Sequence, residues 1–474
     1  MTLMKSLLLG SAATLVVVAG AQAADLPTKK GAPAAEYVKV CKVGDIAGFI
    51  IPGSDTCLKI SGYVNAQIAV GNVTDEHTLA PLPSIYLPNA MALSSAAKYV
   101  NDIGFSTRGQ VNFDAVTNTA MGPLLAHIEI QANSGTGFDP LGNGAVLNAG
   151  YVQWAGITAG KHGSFYDYLA GGDTWKDFFS PDHSGTPVNL LAYTATFGGG
   201  FSATVSLEQN ESVSGFAGSK MFFGTSSLGS TIAVTSISGT PLGVRAPDIV
   251  ASLDVTQSWG GAHLAGVAHN DRYFATGTFS KLGVVTGTSS ASVDTWGFGV
   301  IGGVTFNLPM LSAGSKIAFQ GAYADGAIAY SGAGSPAWGE QDQGFNTNGN
   351  GLLFPMADGI FNPVSGQFEK SQAWSVAAQL TWKVSPNFEI DPEVSYASVQ
   401  YDGATAADWQ ISPKATAWWV GAVFDWSPVK NLDFALDAVY ESSHQATPVG
   451  WNPANAFQNN ADGFNARLHV VRSF

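Results

Sequence analysis

From Leu58 onward the chain alternates. In LKISGYVNAQIAV the residues Leu58, Ile60, Gly62, Val64, Ala66, Ile68 and Val70 share one face, and Lys59, Ser61, Tyr63, Asn65 and Gln67 share the other. The same division recurs in FSTRGQVNFDA, with Phe105, Gly109, Val111 and Phe113 set against Ser106, Arg108, Gln110, Asn112 and Asp114. In LLAHIEIQAN it sets Leu124, Ala126, Ile128 and Ile130 against His127, Glu129 and Gln131. A period of two sustained over ten residues belongs to a strand whose faces meet different surroundings; a helix would scatter both sets around its axis.

The connections come in two sizes. Short ones, at residues 198–200, 260–261, 385–387 and 427–430, carry the Gly, Pro, Asn and Ser of tight turns. Long ones, around residues 71–100, 210–245 and 330–370, are rich in Gly, Ser, Asn and Asp. Alternating short and long connections describe an up-and-down antiparallel barrel in a membrane, with short periplasmic turns and long extracellular loops. Counted along the chain, the pattern predicts about sixteen strands, an even number as such barrels require.

Aromatic spacing supports a lipid-facing wall. In AWSVAAQLTWK the outward set is Trp374, Val376, Ala378, Leu380 and Trp382; in WWVGAVFDW it is Trp418, Val420, Ala422, Phe424 and Trp426. Each Trp pair is eight residues apart, or roughly 26 Å along a strand. A tilt of ~40° reduces this to roughly 20 Å of height, close to the ~25 Å apolar band that aromatic girdles flank. The last segment, GFNARLHVVRSF, alternates too: Phe464, Ala466, Leu468, Val470 and Phe474 against Asn465, Arg467, His469 and Ser473, with Arg472 and Val471 out of register. A closed barrel pairs its last strand with its first and leaves no edge.

Composition agrees. Charged residues make up only 12% of the chain and hydrophobic ones 46%, so a charged surface is not what keeps this protein in solution. Residues 1–23, MTLMKSLLLGSAATLVVVAGAQA, have a Lys5-bearing start, a short apolar stretch and an Ala21-Gln22-Ala23 cleavage site. That is a signal peptide, with the mature chain expected to begin at Ala24. No run of eighteen apolar residues follows it, so no spanning helix is expected. The formal net charge of -14 argues against nucleic acid as a partner. The two cysteines, Cys41 and Cys57, are expected to form a disulfide in the oxidising periplasm, worth about 3 kcal/mol in the chain-entropy model. The expected organisation is therefore a leader (1–23), a disulfide-strapped periplasmic segment (24–57) and the barrel (58–474).

Several stretches, in order, carry a family resemblance: EYVKVC, PGSDTCLKISGYV, YVQWAGITAGKHGSFYDY, NLLAYTATFGGGFSATVSLE, PDIVASLDVTQSWG, NLPML, SPVKNLDFALDAVY and ARLHVVRSF. The chain resembles the general outer-membrane porins of alphaproteobacteria from about Glu36 to Phe474. The resemblance implies a homotrimer, passive diffusion of small hydrophilic solutes, and a third long loop, residues 163–188, folded into the lumen. It also implies that the terminal Phe474 is the mark read by the outer-membrane assembly machinery, in a setting of outer-membrane lipid and lipopolysaccharide.

Ion preference in such pores comes from charges near the constriction. The inward register predicts Lys59, Arg108, Lys161, Lys316 and Arg467 as lumen bases, and Asp114, Glu129, Asp254, Glu389, Glu393, Asp425, Asp433 and Asp437 as lumen acids. The inserted loop adds Asp167, Asp173, Asp177 and Asp182 against Lys176. Arg108, with Lys59 and Arg467, is expected to face these loop carboxylates, and the acidic excess predicts weak cation preference. GFGVIGG (Gly297, Gly299, Gly302) fits a dinucleotide-binding pattern, but it lies inside an alternating strand with no helix after it. No catalytic, cofactor or metal-ligand motif is found, so an enzyme is not expected. A channel specific for a sugar or an anion is the alternative; it would need an aromatic ladder or a basic cluster, and inward Tyr63 and Trp419 are too few.

Overall fold

The computed structural model describes residues 39–71, 103–137, 142–169, 187–209, 224–225, 232–241, 244–281, 284–332, 358–362, 367–403, 412–447 and 459–474. Sixteen antiparallel strands close into one barrel. The first eight are β1 (Cys57–Gly71), β2 (Ile103–Thr119), β3 (Gly122–Gly137), β4 (Gly144–Trp154), β5 (Ile157–His162), β6 (Val188–Gly198), β7 (Phe201–Glu208) and β8 (Asp248–Gln257). The rest are β9 (Gly260–Lys281), β10 (Val284–Asn307), β11 (Lys316–Asp325), β12 (Gln372–Ser385), β13 (Phe388–Gln400), β14 (Lys414–Val429), β15 (Leu432–Gln445) and β16 (Asn460–Ser473). Each pairs with the next, and β16 returns to β1 from Asn465↔Gly71 to Ser473↔Tyr63.

The wall is apolar outside and polar within. On β1, Ile60, Val64, Ile68 and Val70 are exposed on the outer face, while Asn65 and Gln67 are buried on the inner one. Trp374, Trp382, Trp418 and Trp426 all stand on the outer face. Trp374 packs against Tyr396 at 5.2 Å and Trp418 against Tyr440 at 5.6 Å, one belt; Trp426 against Phe434 at 5.6 Å belongs to the other. These two bands sit where the eight-residue spacing predicts.

Closure extends to the last residue. The Phe474 amide donates to the Gly62 carbonyl at 2.9 Å and the Gly62 amide to the Phe474 carbonyl at 3.2 Å. The Phe474 ring lies on the outer wall over Gly62, where a Cβ would come within 2.9 Å of its Cζ. Arg472, which breaks the apolar alternation, lies on the outer face at the turn end, and its guanidinium donates to the Asn431 carbonyl at 3.0 Å. Val471 is buried.

Turn chemistry differs in detail from the expectation. Gly199 and Gly200 turn at φ 60° and 82°, a conformation costly for any side chain. Gly260, however, opens β9, so that turn is Ser258–Trp259, and residues 427–429 continue β14 before turning at Lys430–Asn431. The hairpin β9–β10 reaches far past its neighbours, and a strand within the fourth long connection (Ile232–Pro241) pairs with its upper part.

Below β1 lies a hairpin of Val40–Val43 and Ile46–Ile50, joined to the barrel by Ile50↔Cys57. The Cys41–Cys57 disulfide straps it in place, with Cα atoms 5.8 Å apart. Val43, Cys57 and Val116 form a small apolar core there. Cys41→Ala is expected to loosen the hairpin by about 3 kcal/mol without opening the barrel. Limited proteolysis should then cut between residues 44 and 56 while sheet circular dichroism is unchanged; cutting as slow as in the wild type would contradict this.

Candidate functional site: a lumen narrowed by two loops

The third long loop enters the bore directly after β5. Its root is fixed by Glu208 at the end of β7, whose carboxylate accepts from Ser164 Oγ at 2.6 Å and from the Phe165 amide at 3.1 Å. Tyr166 is fully buried, with its hydroxyl donating to the Tyr330 carbonyl at 2.6 Å. Tyr168 reaches β9 and β10, where its hydroxyl lies 2.8 Å from Thr305 Oγ1 and 3.2 Å from the Gly261 carbonyl. Its ring stacks on His263 at 5.4 Å, and the Leu169 amide donates to Gln320 Oε1 at 2.9 Å. The chain thus leaves β5 and is next held by β9, β10 and β11.

Small residues make that path possible. A Cβ at Gly303 would lie 2.2 Å from Tyr168 Cδ1, and one at Gly299 would lie 2.8 Å from Tyr330 Cβ. Both face inward from β10. The glycine-rich run there is space for two tyrosines, which is the physical content of the motif that mimics a nucleotide loop.

A second insertion, absent from the sequence expectations, comes from the sixth long loop. After β11 the chain makes a short 3-10 helix, Ile328–Ser331, that is wholly buried. Tyr330 meets Tyr166 edge-on at 5.0 Å, and Ser375 Oγ donates to the Ser331 carbonyl at 2.6 Å. The Ile328 amide donates to Asp358 Oδ1 at 2.7 Å, which draws residue 358 in as well. Burial and the neighbouring Asp271 charge push the Asp358 carboxyl well above the usual carboxylate range. Tyr166, Tyr330, Ala327, Ala329, Val250, Val267 and Ile301 make one apolar cluster between the two loop roots and the wall. The signal was present: AIAY (327–330) is an apolar run in an otherwise Gly- and Ser-rich loop.

Most predicted lumen charges face inward. Lys59 is the cross-strand neighbour of Asp114. Arg108 lies on β2, where its Nε donates to Asn133 Oδ1 at 2.9 Å. Arg467 on β16 is buried beside Asp437 of β15. Lys316 faces the bore at the turn end of β11, and Asp114, Glu129, Asp254, Glu389, Glu393, Asp425, Asp433 and Asp437 all lie on the inner register. Lys161 does not. Its pairing with Gly150 and Asn189 puts it on the outer face, in register with Val152 and Tyr193, where its amine donates to the Leu147 carbonyl at 3.0 Å. A Lys near the rim of the apolar band can extend its ammonium to such a polar group, so alternation holds and the charge does not force the side chain inside. Asp167 lies in the described loop root; Asp173, Lys176, Asp177 and Asp182 lie outside the described residues. Inward acids outside the predicted set include Glu208, Asp248, Asp271 and Asp391. Lys383, expected on the water-facing side of its strand, is ion-paired with Glu389.

The histidines are organised. His127 Nδ1 is 2.7 Å from Asp114, His263 Nδ1 is 2.7 Å from Asp254, His269 Nδ1 is 2.8 Å from Asp248, and His469 Nε2 is 2.9 Å from Asp437. Each pair faces inward from adjacent strands. Another set of rings climbs the wall: His127 on Tyr151 at 4.8 Å, Tyr151 on His162 at 4.5 Å, and His162 on Phe165 at 5.4 Å.

A closed barrel with an apolar, aromatic-banded exterior, a polar bore and loops tucked inside is an outer-membrane channel. The model of the porin subfamily matches residues 25–467, and the chain belongs to that family. It is 27% identical to porin Omp2b of Brucella neotomae over 403 residues, which cover 83% of this chain and 92% of that protein. It is likewise 27% identical over 409 residues to porin Omp2b of Brucella abortus (strain 2308), with the same coverage. Among solved structures, the outer-membrane channel DcaP of Acinetobacter baumannii superposes with a TM-score of 0.58 at 16% identity, covering 90% of this chain and all of that one, a likeness of fold.

Proposed function

We propose that this channel is a general porin, passing small hydrophilic solutes and ions by diffusion with a weak preference for cations. The observation that supports the reading most directly is the third loop's root, which turns inward after β5 and is anchored inside the bore on Glu208, Thr305 and Gln320, so that it narrows the channel. In this reading Arg108, Lys59 and Arg467 act from the wall against Asp167, Asp173, Asp177 and Asp182 of the loop. Residues 1–23 are the export leader, residues 24–57 the periplasmic strap, the working unit is a homotrimer, and Phe474 is the assembly mark.

The selectivity is measurable as a reversal potential across a salt gradient in planar bilayers. Inward acids outnumber inward bases, so cations are enriched when the Debye length of roughly 30 Å at 0.01 M spans the pore, and less so at 1 M, where it is about 3 Å. Neutralising Asp173 and Asp177 together lowers the preference; Arg108→Ala raises it. Anion preference at low salt would overturn the charge assignment.

A second reading, a channel specific for a sugar, has one observation in its favour, the ring ladder His127–Tyr151–His162–Phe165. Two of its three contacts are stacked, so those rings cover one another's faces and leave mainly edges to the bore, which favours the general reading. Saturable block of single-channel current by sugars would reverse that preference.

A further inference from the structure

His269, Asp271 and Asp358 offer ligand atoms that all lie within 4.8 Å of one another. All three residues are buried, at 1% exposure or less. We infer that they form a binding site for a divalent transition cation of the zinc class, and that the bound ion clamps the sixth loop onto the barrel wall.

The orientation of the imidazole is the first reason. Nδ1 of His269 sits 2.8 and 3.0 Å from the two oxygens of Asp248, both acceptors, so this nitrogen carries the proton. Asp248 is itself held by the Tyr330 hydroxyl at 2.5 Å. A carboxylate behind the histidine is the arrangement that aims the far nitrogen of a metal-binding imidazole. That far nitrogen, Nε2, looks at Asp271 Oδ1 at 3.1 Å and Asp358 Oδ2 at 3.8 Å. Nε2 can meet this pair of carboxylates either with a proton, donated to Asp271, or with a cation held between all three groups, and only the cation serves Asp358 Oδ2 as well.

The spacing is the second. Zinc takes nitrogen and oxygen ligands at about 2.0–2.2 Å, which places tetrahedral ligand atoms about 3.4 Å apart. The two observed separations bracket that distance. Asp358 supplies an independent observation: its Oδ1 accepts the Ile328 amide, whereas its Oδ2 is buried, has no hydrogen-bond partner and points into the cluster. The ligand class follows from the donors, since one imidazole with carboxylates suits zinc and manganese better than the all-oxygen shells of calcium or magnesium. The comparable group His127, Asp114 and Glu129 lacks this feature: Glu129 is half-buried, its Oε1 accepts from Asn148 at 2.5 Å and from Gln131 at 3.3 Å, and neither carboxylate there has a buried oxygen without a partner.

The test uses the full mature chain, refolded in detergent without lipopolysaccharide, stripped with chelator and dialysed against zinc chloride. One zinc per chain is expected. Asp358→Asn should weaken zinc binding at least tenfold, and Asp248→Asn, which leaves all three ligands, by about 10–100-fold. Zinc should slow hydrogen exchange at the Ile328 and Ser371 amides, both of which bond to Asp358. Asp358 is a loop residue, so its variant reports even if a His269→Gln barrel fails to fold. Sub-stoichiometric zinc, undiminished binding by folded Asp358→Asn, or unchanged exchange at the two amides would each overturn the assignment. None of these outcomes depends on ion selectivity, so the site stands or falls apart from the porin reading.

Discussion

Deleting Phe474 is expected to abolish most insertion into the outer membrane, with the chain accumulating or being degraded in the periplasm. The residue closes the seam physically. Its amide and carbonyl make the last two backbone bonds between β16 and β1, at 2.9 and 3.2 Å, each worth about 0.5–1.5 kcal/mol. Its ring, 60% exposed in the isolated chain, faces lipid, and burying a Phe there contributes about 1.5–3 kcal/mol. Phe474→Ala keeps both backbone bonds and loses only the ring, so it separates strand closure from side-chain recognition. If the mark is the ring, Ala is as damaging as deletion; if closure dominates, Ala is mild. Heat-resistant, membrane-inserted protein from the deletion at normal yield would refute the expectation.

The wall of this barrel was legible in the sequence because lipid outside and water inside impose a period of two that few competing effects can blur. The register, the two Trp bands and the closing strand all follow from it. The Asp–His pairs were within reach too. Once Ser258–Trp259 is taken as the turn, Asp254 falls opposite His263, with Asp248 and His269 adjoining the same ladder. Placing the turn at residues 260–261 hid both pairs. Lys161, expected among the lumen bases, lies outward because Ile157, Ala159 and Lys161 share one face of β5 and Thr158 and Gly160 the other.

The inserted loops were only partly legible. Tyr168 meets Thr305 across 137 positions and Leu169 meets Gln320 across 151, and no local pattern encodes such contacts. The third loop's fold came from resemblance. The sixth loop had no such guide, although AIAY had to be buried somewhere. The candidate metal ligands stayed hidden because they come from two elements, β9 and a loop almost ninety residues later, so no motif spacing joins them.

Release of the third loop is expected to give the largest change in conductance. Glu208 accepts two hydrogen bonds from the loop root, and bonds to a charged group contribute about 1.5–3 kcal/mol each. Tyr168 adds a stacked ring and a hydroxyl bonded to Thr305, and because the ring is half-buried its truncation costs less than the about 3–5 kcal/mol of a fully buried aromatic. Together these are of the order of the ~5.5 kcal/mol that carries a two-state element from 1:99 to 99:1. Glu208→Ala with Tyr168→Ala should therefore leave the loop root undocked most of the time, raising single-channel current and flattening ion selectivity, since Asp167 leaves the bore with the root. Gly303→Leu reaches the same end from the wall, because even a Cβ there would lie 2.2 Å from the Tyr168 ring. Each single change removes part of the docking energy, so the singles should show intermittent opening and the double a persistent one. A folded double variant with wild-type current and wild-type reversal potential would show that this root does not hold the constriction.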